Sequence, residues 1–271
     1  MKSNPAMYAE YLLLALGVLL WVVALARGRA LEWFTSRGQL PAWRIPATEF
    51  ATFVVAVLVA SVLAIRSAVW AFHLDVSTLP PTPRTTLIAG LALQLAWLAV
   101  GLGFRLLPTF RPPRSGIGAV SAVLAGFAAV LLSLPAVETV SEIWIWVLQR
   151  LRLPTDLQEA VDIIRQANGV GELLWWGGLI VVVAPLAEEF LFRGLLYRFF
   201  RSHMPDAAAM IGSSMIFGML HGNLVSAVPL MALGVALCLS FRYTGRLLTP
   251  IVMHALFNLN TLLQVRMGVN T

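Results

Sequence analysis

The sequence predicts an all-α, polytopic transmembrane helix bundle of about eight spans, and three observations carry that prediction. Of the 271 residues, 59% are hydrophobic and 12% charged, against about 45–50% and 25% in soluble domains. Apolar runs recur along the whole chain at the length of about 20 residues that a hydrocarbon core ~30 Å thick requires. The cations, eighteen Arg and one Lys, sit mainly at the ends of those runs, as the positive-inside bias produces. A mean hydropathy of +0.83 leaves too little charge to cover a soluble core. Excluded are a soluble enzyme, a disordered linker, a disulfide scaffold and, despite a pI near 10.4, a nucleic-acid binder. The lone Cys238 cannot close an intrachain disulfide and reads as a small buried hydrophobe.

The first run, Tyr8 to Ala26, ends at Arg27 and Arg29. The positive cluster follows the run instead of preceding it, which favours an uncleaved span with its N-terminus outside over a signal peptide. The segment 27–49 holds four arginines and is expected inside. Phe50 to Phe72 returns outward, and a Pro-rich turn at 79–83 leads into the third run, Leu87 to Leu107. Arg105, Arg111 and Arg114 mark a second inside loop. The run from Ile117 past Pro135 to Leu148 spans ~48 Å as a helix, too long for one crossing. Its second half, with Glu138 and Glu142, is therefore expected at the outer interface.

Residues 151–172 carry mixed charge with Leu157, Ala160, Val161 and Ile164 at helical spacing, an amphipathic surface linker helix. Four further runs follow: Leu173 to Phe200, Ala207 to Leu220, Val225 to Phe241 and Leu247 to Leu263. The chain thus divides into four N-terminal spans (1–150), the linker (151–172) and a helical core (173–271). Both termini are expected outside. The excess of Arg over Lys accords with a GC-rich bacterial genome, so the expected location is a bacterial cytoplasmic membrane. Trp175 and Trp176 suit an aromatic belt at the membrane interface.

Ionisable side chains are expensive at membrane depth, ~2.5–3.5 kcal/mol by insertion scales, so those in the core need a reason. In the run Ala187-Glu188-Glu189-Phe190-Leu191-Phe192-Arg193, Glu189 and Arg193 stand at i and i+4 in the favoured order for an ion pair. Glu188 lies about 100° round the helix with no local partner, free for acid–base work. His221 ends the sixth run in Phe217-Gly218-Met219-Leu220-His221, and His254 shares a face with Asn258 in the eighth. Thr249 as N-cap with Pro250 at the first helical position puts both in the cytoplasmic half of that helix. Counting from the shared turn places Glu188 and His221 both ~20 Å along their helices, so Glu188, His221, His254 and Asn258 can meet at one depth. Pro185 is expected to kink the motif helix, and Gly218 with Gly222 has a spacing that permits close helix approach.

At these residues the sequence resembles the CPBP family, the CAAX proteases and bacteriocin-processing enzymes also called Abi proteases, and is similar to type II CAAX prenyl endopeptidases. The family pattern is EExxxR, then FxxxH, then HxxxN or HxxxD on successive helices. Glu188-Glu189 with Arg193, Phe217 with His221, and His254 with Asn258 match it in order. The resemblance covers about 173–263; the first 150 residues match only as generic membrane helices.

The resemblance implies an intramembrane endopeptidase hydrolysing a peptide bond of a membrane-associated protein or peptide. Glu188 with His221 would activate the water, His254 and Asn258 would stabilise the oxyanion, and Glu189, Arg193 and Phe217 would support the motif. The family is described both as metal-dependent and as glutamic-type. Zinc is possible, with Glu188, His221 and His254 as ligands and an open fourth position, but there is no HExxH signature, and the preferred reading requires no cofactor. The alternatives are a non-catalytic membrane scaffold or immunity-type partner and a proton-coupled transporter. The absence of an inverted repeat speaks against the transporter.

Overall fold

A computed structural model describes residues 5–27, 40, 45–77, 81–105, 117–155, 159–167 and 169–268. The described residues form helices and connecting turns, with no strand among them. The helices are α1 (Pro5–Ala26), α2 (Ala47–Phe72), α3 (Pro83–Arg105), α4 (Ala119–Arg150), α5 (Glu159–Gln166), α6 (Val170–His203), α7 (Asp206–Met219), α8 (Leu224–Thr244) and α9 (Leu248–Met267). Seven are long and apolar enough to cross a membrane. The exception among the eight expected spans is α7, whose 14 residues reach ~21 Å, short of a full crossing. The chain is an integral membrane protein. The expected inside loops at 28–39 and 106–116, much of the Pro-rich turn and Leu157 lie outside the described residues.

The fourth run does not divide at Pro135. It is one helix of 32 residues with the proline inside it, and α1 supplies the reason. Pro135 cannot donate to the Leu131 carbonyl, and Gly17 of α1 packs its backbone directly against that oxygen. One residue on, Trp21 Nε1 donates to Leu132 O at 2.7 Å. Polar company from α1 thus lets the helix run on through its weakest turn. Near the far end of α4, Trp144 Nε1 donates to Leu224 O at 2.8 Å, fastening the start of α8.

The linker helix α5 is less superficial than its charge suggests. Ile164 is buried with Leu262 and Val265 of α9, and Ile163 with Trp176 and Leu179 of α6. Trp176 is therefore core, while Trp175 faces outward. Arg266 donates to the Ile164 and Ala167 carbonyls, closing the C-terminal turn of α5, where a cation is favoured.

The motif helix α6 is continuous from 170 to 203 but not uniform. It is wound as π-helix over Gly178–Val183 and again over Phe190–Tyr197, with an α-helical segment Ala184–Glu189 between. The turn before Pro185, where a kink is expected, is π-wound, a feature that concentrates at functional sites. Every residue from Ala187 to Arg198 is buried, so the motif runs through the centre of the bundle. At its far end Asp206 accepts from Tyr197 and pairs with Arg201 and Arg242, tying α6, α7 and α8 together.

Candidate active site

The site grows from Glu189, which is fully buried. Its Oε1 accepts from Arg193 Nη1 at 2.7 Å, the expected i, i+4 pair. The same oxygen accepts from His254 Nδ1 at 2.8 Å. One carboxylate thus bridges its own helix to α9. Arg193, 1% exposed, also donates to Gly234 O of α8 at 3.2 Å and lies over the Phe217 ring of α7, 4.4 Å from its centroid. Four helices are thereby locked around one buried ion pair, which needs such extra bonds to offset its desolvation.

That lock sets the state of His254. A carboxylate held by an arginine only accepts, so Nδ1 carries the hydrogen and, in the neutral ring, Nε2 carries the lone pair. Nε2 faces Glu188 Oε2 at 3.9 Å. The other Glu188 oxygen is engaged: Gln94 Nε2 of α3 donates to Oε1 at 2.7 Å. Glu188 is buried at 8% exposure, His254 at 2%. Two acceptors aimed at each other across this distance suit a guest with two hydrogens to give. A water donating to both, at ordinary hydrogen-bond lengths of about 2.8 Å, leaves its own lone pairs free to attack.

Phe217 is the shelf of the site. Its ring meets Phe192 edge-on at 5.1 Å, His254 at 5.7 Å and His221 at 4.9 Å. His221 stands in the turn after α7, on the exposed side of the shelf, and its Nδ1 donates to Phe217 O at 2.8 Å. Its Nε2 is then the acceptor nitrogen. Among the described residues no hydrogen bond joins His221 to Glu188; the imidazole that Glu188 faces is that of His254. Gly218 packs on the Ala227 carbonyl and Met231 of α8, the close approach its spacing suggested. Gly222, at φ +65° with open space around it, makes the turn instead.

Asn258 lies one turn beyond His254 and donates to Ile180 O at 2.8 Å, in the first π segment of α6. It ties α9 to α6 away from Glu188. The helix bearing it starts at Leu248, one residue before the expected cap, with Thr249 and Pro250 in its first turn. Of the predicted site residues, Glu188, Glu189, Arg193, Phe217 and His254 form one contact set. His221 joins through Phe217, and Asn258 through the helices.

Gln94 is the site residue that sequence reading missed. It is the lone amide in the otherwise apolar stretch Leu87–Leu102, a signal of the same kind that drew attention to the core glutamates. No group of three His, Cys, Asp or Glu side chains among the described residues is gathered as a metal-ligand set. Glu188 and His254 oppose one another, while His221 makes no hydrogen bond with either. No step below is routed through a metal.

No curated protein and no solved structure matches the chain. Residues 170–260, the segment that carries all the motif side chains from Glu188 to Asn258, match the family model of the type II CAAX prenyl endopeptidase Rce1-like proteins, the group the motifs resemble.

Proposed function

We propose that the chain is an intramembrane endopeptidase in which Glu188 activates water against a peptide bond of a membrane-associated substrate. The family match supports a peptidase, and the spans set it in lipid. The observation that carries the finer reading is the opposition of Glu188 Oε2 and His254 Nε2 at 3.9 Å. Water donates one hydrogen to each. Glu188 takes its proton as the water oxygen bonds to the scissile carbonyl carbon, whose oxygen becomes the oxyanion.

Asn258, one turn beyond His254, keeps an N–H not spent on Ile180, and a donor reaching that oxyanion in a dry site would be worth about 2.7–4 kcal/mol. As the C–N bond breaks, Glu188 returns the proton to the leaving nitrogen, and the products are a carboxylic acid and an amine. His254, held by Glu189, keeps the water in place. His221, on the open side of Phe217, meets the substrate. This assignment gives to His254 the water-holding role that the resemblance implied for His221.

The test compares protein termini in cells carrying the wild-type chain with those carrying Glu188→Ala at matched membrane abundance. New termini confined to wild type are expected and name the substrate. Indistinguishable terminal profiles across growth conditions overturn the proposal in favour of a non-catalytic scaffold. Cleavage of the recovered peptide by purified protein, with and without a chelator, then decides the metal question.

A further inference from the structure

We propose that Gln94 is a positioning residue for Glu188, so that α3, outside the family-matched segment, completes the site; the inference rests on the role given above to Glu188. A glutamate has a broad, nearly two-fold torsion at its carboxylate, and nothing within α6 fixes it. The Gln94 amide does. Its 2.7 Å bond to Oε1 is short, as expected of a donor facing an ionised acceptor. With Oε1 held, Oε2 is the oxygen turned to His254. Only the Nε2-inward orientation of the amide is consistent with a carboxylate, which cannot donate. Gln94 Oε1 is buried without a partner, so the contact with Glu188 is this amide's hydrogen bond.

The backbone is built to deliver that contact. Gly90 of α3 packs on Leu179, Gln94 bonds Glu188, and Gly101 packs on the Phe190 ring. The partners advance in the same direction along both helices, so α3 and α6 run parallel over this length. A side chain at 101 would meet the Phe190 ring at 2.5 Å, so glycine there sets how closely α3 approaches. The bond is thus fixed by packing on either side of it, unlike a chance polar contact between spans.

The experiment uses the full chain in proteoliposomes, labelled with glutamate carrying ¹³C at the side-chain carboxylate, and reads two things. The infrared carboxylate band that disappears in Glu188→Gln identifies Glu188. In Gln94→Met, equal in length but without the donor, that band is expected to move. Cleavage of the peptide recovered from the terminal comparison is expected to fall about a hundred-fold in kcat, the scale of a misaligned reacting group, with KM unchanged. Leu95→Ala, on the lipid-facing side, leaves both readings as in wild type.

An unmoved band in Gln94→Met overturns the inference whatever the activity, and a moved band with unchanged kcat overturns the positioning role. If no cleavage is found for wild type, the endopeptidase reading fails, while the band still decides whether Gln94 holds Glu188. Should Gln94→Met not insert, Gln94→Leu, which also lacks the donor, is read by the same criteria.

Discussion

His254 donates through Nδ1 to Glu189, and that one bond decides what the opposite edge of the ring presents to Glu188. The two adjacent glutamates thereby divide the work. Glu189 is enclosed, shared between Arg193 and His254, and serves structure and tautomer. Glu188 keeps one oxygen facing the histidine and is the group to which the proposed mechanism gives the chemistry.

The division predicts opposite phenotypes for the same substitution at neighbouring positions. Glu189→Gln strips the buried Arg193 of its counter-charge, and breaking a buried pair costs about 3–5 kcal/mol. Glu188→Gln keeps an acceptor for Gln94 and is expected to unfold near wild type while losing cleavage. Thermal unfolding of both in the same detergent checks this. Equal stability of the two variants would remove Glu189 from its structural role.

Arg193→Lys tests the fork. The guanidinium reaches Glu189 and Gly234 O with different nitrogens and stands over the Phe217 ring, which an ammonium cannot do at once. The charge is kept, so the expected loss is that of one charged hydrogen bond, about 1.5–3 kcal/mol. It should fall between wild type and Glu189→Gln. A silent Arg193→Lys would show that charge alone holds the site.

The bundle and the motif set were legible from the sequence because their signals are local. Run length and Arg placement mark spans, and the i, i+4 order of Glu189 and Arg193 announces their pair. What escaped depends on tertiary company. What lets α4 pass Pro135 unbroken is visible only with Gly17 and Trp21 of α1 beside it. The choice of His254 over His221 as the ring opposite Glu188 turns on where α7 ends, and helix ends are poorly specified by an apolar run. Gln94 carried a visible signal, a lone amide in a span, but its partner lies on a helix far along the chain, and no periodicity encodes that.

Asn258 yields a prediction that separates this chain from the family pattern it resembles, which also admits Asp at the position. Here the side chain donates to Ile180 O at 2.8 Å. Asn258→Asp would set a carboxylate oxygen against a carbonyl, leaving a half-buried acceptor unsatisfied, at the low end of about 1–3 kcal/mol. Both stability and cleavage are expected to drop, with Asn258→Ala milder in stability. Unfolding midpoints of the two variants give the order, and a fully stable Asn258→Asp would mean that the Ile180 contact is dispensable.

The packing that places Gln94 can be tested without touching a polar group. In Gly101→Ala the new methyl would stand 2.5 Å from one Phe190 ring carbon and 2.7 Å from the next, so helix or ring must move. Overpacking of this kind costs about 1–3 kcal/mol. Phe190 is buried and cannot simply rotate away, so α3 is expected to lift from α6 and draw Gln94 off Glu188, lowering kcat. Phe190→Leu removes the obstructing edge. The double variant Gly101→Ala with Phe190→Leu should regain stability and kcat relative to Gly101→Ala alone, a coupling that neighbours in contact show at about 0.5–3 kcal/mol. Strictly additive effects in that cycle would mean that α3 is not seated on Phe190, and the route by which its amide reaches the Glu188 carboxylate would fall with it.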